Sequence, residues 1–275
     1  MEIVLEEKEM IELQNVYSSY PDGTEVLKQI NLTIKKGAKI AVLGASGSGK
    51  STLFHHFTGL VRPYKGTVSL NGEVLTYKKK QLQEWRRKIG FVMQNPDMQL
   101  FAPTVEEDIM YGPLQLGWTM SEAKNASFEA MEACGILPLR YKPPHALSMG
   151  EKKRAAIAGV AAMNPDVFIL DEPEAGLDPA NVKKLTALIN DFHNRGKTVI
   201  VSTHHVDFAY EWADQFIILD KGRLIRHDTA SIVFSETLPP GIEVPWAYEI
   251  GRINGSKPLT KTDALQVIRD LMTKM

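Results

Sequence analysis

Gly44-Ala45-Ser46-Gly47-Ser48-Gly49-Lys50-Ser51 is the stretch that decides how this chain is read. It matches G-x-x-x-x-G-K-[ST] in full, the pattern of a loop that cradles phosphates. Its flanks agree. Lys39-Ile40-Ala41-Val42-Leu43 is a short apolar run suited to a buried strand, and Lys50 to Thr58, free of Gly and Pro, reads as a helix ended by Gly59. The glycines therefore stand between a strand and a helix start, where backbone N–H groups point at an anion and the helix dipole favours negative charge. Gly47 and Gly49 allow a backbone approach that side chains would block. Lys50 is placed to reach the β- and γ-phosphates, and the Ser51 hydroxyl to ligate Mg²⁺. A flexible Gly/Ser turn without chemistry is the plain alternative, and the flanks argue against it.

About 120 residues later, Val167 to Asp171 forms an apolar strand that runs into Glu172. Carboxylates at the C-terminal end of such a strand face the crevice where α/β sheets bind ligands. Asp171 is the candidate to hold the Mg²⁺ shell beside Ser51, and Glu172 to polarise a water against the γ-phosphate. His204 follows another strand, Val199-Ile200-Val201-Ser202, near the same crevice, where an imidazole can hydrogen-bond the γ-phosphate. Its neighbour His205 shows that histidines also occur without a role. Ser148 reads as the cap of the helix that follows, a second helix N-terminus able to face an anion, although spacing alone favours an ordinary capped helix.

The composition narrows the class. The chain has 275 residues, 44% of them hydrophobic, enough for one large domain or a domain with an appendage. A net charge of −1 and no basic stripe give no electrostatic footprint for nucleic acid. The single cysteine, Cys134, forbids an internal disulfide and suits a reducing cytosol. The acidic start Met1-Glu2-Ile3-Val4-Leu5-Glu6-Glu7 is not a secretory signal, and no apolar run approaches the roughly 18 residues of a membrane helix. Work at a membrane would need another chain to span it.

Three regions follow in order. Ile11 and Leu13, then Ile30, Leu32 and Ile34, alternate with polar neighbours, and Asp22-Gly23 and Asn71-Gly72 mark hairpins, so the first region reads as a mostly antiparallel sheet. From Asn95 to Ala162 the pattern turns helical between prolines, with Ser121 as the expected cap of a helix running to Cys134. Strands then return at 167–170, 198–201 and 216–219. A helix capped by Asp178, started by Pro179 and ended before Gly196 separates the first two, which predicts a parallel sheet wrapped by helices. Beyond Phe234 the chain becomes Pro-rich and ends in a helix with Leu265, Ile268, Leu271 and Met272 on one face.

These motifs, in this order, resemble the nucleotide-binding subunit of ATP-binding-cassette (ABC) transporters across Ile11 to Phe234. The resemblance implies an α/β P-loop NTPase with a mostly parallel core sheet, an antiparallel β subdomain and an inserted helical subdomain. The ATPase domain would cover 1–234, its helical subdomain about 95–162, and a C-terminal appendage 235–275. It implies ATP and Mg²⁺ as ligands. Gly44, Ala45, Ser46, Gly47, Ser48, Gly49, Lys50, Ser51 and Thr52 match the Walker A loop, and Tyr20 falls where the family stacks an aromatic on adenine, with Tyr17 close by. Gln94 matches the Q-loop glutamine that touches Mg²⁺. Leu147 to Glu151 match the signature motif, which supplies Ser148 and Gly150. Asp171 and Glu172 match Walker B and the catalytic glutamate, Gly176-Leu177-Asp178 the D-loop, and His204 the switch histidine.

In that family two cassettes close head to tail around ATP, so the implied partners are a second ABC ATPase subunit, a transmembrane coupling subunit and a substrate-binding membrane subunit, with no nucleic acid. The implied location is the cytoplasmic face of the cell membrane. Two residues depart from the pattern: Met149 where Gly is usual, and Glu174 where Thr or Ser is usual. Gln94 to Asp108 is similar to the segment of energy-coupling-factor importers that contacts coupling helices, with Leu100 and Phe101 as apolar anchors. Lys152 to Val160 and Glu172-Pro173 fit the cobalt/nickel branch better than the vitamin branch. No metal-ligand cluster stands out, so the transported ion would be held elsewhere.

Overall fold

The structure, a computed structural model, describes residues 9–256 and 260–273. Strands β1 (Glu9–Ser19) and β2 (Glu25–Lys35) form the first hairpin, around Asp22-Gly23, and β3 (Lys39–Leu43) leads through the glycine-rich loop into α1 (Lys50–Phe57). Strands β4 (Lys65–Leu70) and β5 (Glu73–Val74) meet at Asn71-Gly72, where both residues have positive φ, the backbone a two-residue hairpin turn requires. Helix α2 (Lys79–Lys88) and strand β6 (Ile89–Val92) follow, neither of them marked by the sequence pattern. The helical region holds α3 (Val105–Gln115), α4 (Met120–Ala133) and α5 (Met149–Ala161). Then β7 (Val167–Asp171), α6 (Pro179–Asn194), β8 (Thr198–Ser202), α7 (Val206–Trp212), β9 (Gln215–Asp220) and β10 (Arg223–Asp228) alternate, and α8 (Ala230–Val233), α9 (Trp246–Asn254) and α10 (Lys261–Thr273) close the described chain.

Two sheets result. One is antiparallel, in the order β2-β1-β4-β5; the other runs β10-β9-β3-β8-β7-β6, parallel from β9 to β6 with β10 antiparallel at its edge. Their joint includes the Lys28 N–H, which donates to the Gly222 carbonyl at 2.7 Å. The apolar runs of the parallel strands are explained by burial on both faces. Ile40, Val42, Val167, Ile169 and Ile200 join Leu53, Phe54 and Phe57 of α1 and the antiparallel sheet in one cluster. Phe168, Leu170, Val199 and Val201 point the other way, into the cluster built from α3 to α6.

The C-terminal stretch covers a third surface. Ala41, Leu43, Phe216 and Ile218 pack with Tyr210, Phe234, Ala247 and Ala264, and Val244, Trp246 and Tyr248 pack against that cluster. Gly241 lies against the glycine-rich loop: a Cβ there would stand 3.3 Å from the Ala45 Cβ. The Trp246 N–H donates to Asp207 at 3.0 Å, two residues beyond His205. Of the apolar face expected on α10, Leu265, Leu271 and Met272 remain exposed, while Ala264 is buried.

The sequence reading of α4 needs a correction. Its cap is Thr119 and not Ser121: the Glu122 carboxylate accepts from the Thr119 N–H at 2.7 Å while the Thr119 hydroxyl accepts from the Glu122 N–H. A reciprocal box satisfies two orphan donors, which a lone serine two residues on does not. Gly135 follows the helix in the left-handed region.

His56 gives the fold a pH dependence. Its ring is fully buried, with Nδ1 on the Val61 carbonyl at 3.0 Å, and burial pushes its pKa down from 6.5 to about 4. The unfolded chain protonates this ring below about 6.5 while the folded chain does not, so the contribution is complete at neutral pH and is lost as pH falls from 6.5 to 4. Urea unfolding at pH 7.5 and pH 4.5 will show a loss of up to about 3 kcal/mol that His56→Gln removes. An equal pH slope in that variant excludes His56 as the source.

Candidate functional site

The C-terminal ends of four neighbouring parallel strands converge on one crevice. β3 delivers the glycine-rich loop, β8 delivers Ser202 and His204, β7 delivers Asp171 and Glu172, and β6 delivers Gln94. Because the strands are adjacent, residues from 44 to 204 come within hydrogen-bonding distance of one another.

The loop is shaped by close approach and by backbone sign. A Cβ on Gly44 would stand 2.4 Å from Ser48 Oγ and 2.6 Å from the Leu219 carbonyl, so only glycine fits. Gly49 caps α1 at φ 106°, a conformation that side chains resist. The Ser48 N–H donates to the Ala45 carbonyl and the Gly222 N–H to the Ser48 carbonyl, bracing the turn. Lys50, the first residue of α1, is buried and folds its ammonium back onto the Gly44 carbonyl at 2.7 Å and the Ala45 carbonyl at 3.3 Å. Burial lowers its pKa, while the charges of Glu172 and Asp171 oppose that shift.

Ser51 Oγ donates to Asp171 Oδ2 at 2.8 Å, and Ser202 Oγ donates to the other carboxylate oxygen. Gln94 Nε2 donates to Glu172 Oε2 at 2.7 Å, and His204 Nε2 lies 2.7 Å from Glu172 Oε1 and 3.4 Å from the Lys50 ammonium. Lys50, Ser51, Gln94, Asp171, Glu172 and His204 thus form one connected group. The oxygen donors of Ser51, Asp171 and Gln94 are the hard ligands that Mg²⁺ takes, so the residues fit that ion.

Other expected site residues lie apart from this group. Ser148 caps α5 in a reciprocal box with Glu151. Asp178 caps α6 and holds Asn181 through its N–H and its side-chain amide, and Asn181 accepts from Arg154 of α5. A Cβ on Gly150 would meet Asn181 at 3.0 Å, so the starts of α5 and α6 are fitted together there. Met149 opens α5 with its side chain exposed and without a positive φ, so its backbone does not call for the glycine usual there. Tyr20 stands exposed in the first hairpin. Tyr17 is engaged instead by the Tyr64 ring at 6.0 Å and the Lys65 ammonium at 5.1 Å. Leu100 is buried in the helical cluster and is no surface anchor, whereas Phe101 is exposed and packs edge-on against Tyr111.

Among the residues that escaped the sequence reading, two hold the backbone of Glu172 directly. Ser202 holds the Asp171 carboxylate and accepts from the Glu172 N–H through both its carbonyl and its hydroxyl. The only local signal was a hydroxyl ending an apolar strand. Lys153 of α5 is buried and donates to the carbonyls of Glu172 at 3.0 Å and Ala175 at 2.7 Å, a contact that only the packing of α5 creates.

Residues 27–175 match the family described as ABC transporter. The energy-coupling factor transporter ATP-binding protein EcfA of Methanocaldococcus jannaschii is 48% identical over 82% of this chain and 81% of its own length. Its namesake in Methanosphaera stadtmanae is 40% identical over 97% and 99%. Among solved structures, cbiO1 of Clostridium perfringens, part of the ABC transporter complex cbiONQ, matches with a TM-score of 0.78 and 35% identity over 94% of this chain and 99% of that one. A dimeric ATP-binding cassette in a post-hydrolysis state with ADP and Pi matches at 0.73 and 30% identity over 80% of this chain. With the phosphate loop, the paired carboxylates and the histidine joined in one crevice, the chain belongs to the ABC transporter family, as an ATP-hydrolysing, ATP-binding subunit of the energy-coupling-factor type.

Proposed function

We propose that this chain drives the uptake of cobalt or nickel ions, coupling ATP binding and hydrolysis to a membrane complex at the cytoplasmic face of the cell membrane. The observation that carries the ATP-hydrolysing part of this reading is the connected group Lys50, Ser51, Gln94, Asp171, Glu172 and His204. In this reading Lys50 and the backbone N–H groups from Gly44 to Thr52 bind the triphosphate, with the start of α1 adding its dipole. Ser51, Asp171 and Gln94 would hold Mg²⁺, which would neutralise charge on the triphosphate. Glu172 takes the proton of the attacking water, and His204 orients Glu172 and contacts the γ-phosphate. Tyr20 offers the open aromatic face for adenine.

Ser148 and Asp178 stand exposed at the starts of α5 and α6, where a second cassette, a copy or a paralogue, would meet them head to tail, and Gly150 is buried against Asn181 beside them. Each triphosphate then lies between two helix N-termini, and loss of the γ-phosphate releases them. The metal cargo rests on the resemblance of Lys152 to Val160 and Glu172-Pro173 to the cobalt/nickel branch; the EcfA relatives and the cbiO1 structure carry no cargo in their names, which keeps a vitamin as the alternative.

Phe101 is the candidate anchor for the transmembrane coupling subunit, with no part for the buried Leu100. Purification from native membranes tests both points. The wild-type chain will bring down spanning subunits whose pocket binds cobalt or nickel. Phe101→Asp will lower that recovery at least tenfold, a loss of about 1.4 kcal/mol or more, with unchanged thermal unfolding. Full recovery of the variant assigns Phe101 to packing against Tyr111, and a vitamin in the pocket replaces the metal reading.

A further inference from the structure

Glu174 is a carboxylate buried three residues beyond Asp171, and nothing in the chemistry above uses it. One of its oxygens is hydrogen-bonded to the Thr203 hydroxyl, and its other oxygen has no partner among the described residues. Its hold on the loop after β8 therefore runs through Thr203. That hydroxyl also accepts from the His205 N–H at 2.9 Å, so the residues on both sides of His204 are tied to Glu174.

The other side of the same cluster grips Glu172. This residue has φ 45°, a left-handed backbone that is strained for a non-glycine residue and persists only where its surroundings enforce it. Ser202 takes the Glu172 N–H, and the buried ammonium of Lys153 takes the carbonyls of Glu172 and Ala175, which bracket Glu174. A buried cation needs a compensating anion. Glu174 and Glu172 oppose the fall that burial imposes on the pKa of Lys153, and Lys153 is among the groups that oppose the rise that burial imposes on Glu174.

We propose that Glu174 is a positioning residue for hydrolysis: through Thr203 it fixes the backbone around His204, so that the His204 and Glu172 side chains meet at 2.7 Å. The inference rests on the roles given above to Glu172 and His204. It makes the loop after β7, the loop after β8 and helix α5 one mechanical unit, in which α5 carries the Ser148 end toward the second cassette.

The test is steady-state ATP hydrolysis by the full chain in its purified membrane complex, with Glu174→Ala, Thr203→Val, their double variant, Glu174→Gln, and Glu172→Gln in parallel. Each of the two single truncations will lower kcat about tenfold with KM for ATP within about twofold, because geometry is lost and binding is not. The double variant will be no slower than the worse single, since both break one link. Glu174→Gln, which keeps an acceptor for Thr203, will recover most of the loss. A wild-type kcat in Glu174→Ala, KM rising in step with the fall in kcat, multiplied losses in the double, or a Gln variant as slow as Ala each overturns the proposal. If Glu174→Ala does not fold, Thr203→Val alone decides by the same split. Normal turnover in Glu172→Gln would instead sink the parent assignment, so the two failures are distinct.

Discussion

Glu172→Gln will bind ATP with nearly wild-type affinity and hydrolyse it about 10²- to 10⁴-fold more slowly, the range expected when a positioned general base is removed. The substitution keeps the volume of the side chain. Its amide oxygen still accepts one of the two hydrogen bonds that Gln94 and His204 now make to the carboxylate. What it loses is the ability to take a proton from water. Binding should survive because the contacts to the triphosphate come from Lys50 and the loop backbone, on a different strand end. With ATP held and its cleavage stopped, the head-to-tail pair will accumulate, visible as a doubled mass in light scattering with Mg-ATP. A variant that turns over normally removes Glu172 as the base.

Lys50→Ala will weaken ATP binding by roughly 10²-fold or more, from the ~3 kcal/mol expected for charge-assisted bonds to phosphate lost at a part-buried site. The ammonium now lies on the Gly44 and Ala45 carbonyls, 3.4 Å from His204, with the Glu172 and Asp171 charges around it. Removing it leaves two carboxylates facing an incoming polyanion with one cation fewer, so repulsion adds to the lost attraction. Calorimetric titration with ATP measures the effect, and far-ultraviolet dichroism checks the fold. An unchanged dissociation constant would refute the cradle.

Those two residues were legible because their signals are local. Lys50 sits in a fixed motif between a strand and a helix, and Glu172 ends an apolar run. The same holds for the hairpin at Asn71-Gly72 and for α6, whose cap and first proline were read directly. Gln94, Tyr20 and Thr52 came into view only through the family resemblance, since nothing in their own surroundings marks them. Lys153, Ser202 and Thr203 stayed hidden for a physical reason: each matters through a contact to a residue at least 19 positions away, set by strand adjacency or by helix packing. Leu100 and Phe101 show the same limit on the surface. Two adjacent apolar residues in a loop look alike in sequence, and only the packing of α3 decides which one is covered.

Where the C-terminal stretch rests has a practical meaning for anyone trimming the gene. A chain stopped after Phe234 would strip the lid from Phe216 and Ile218, unseat the neighbour of Ala45, and free Asp207 from its backbone tie. Such a shortened protein would report on a loosened nucleotide pocket, and its turnover would be a poor stand-in for the intact motor.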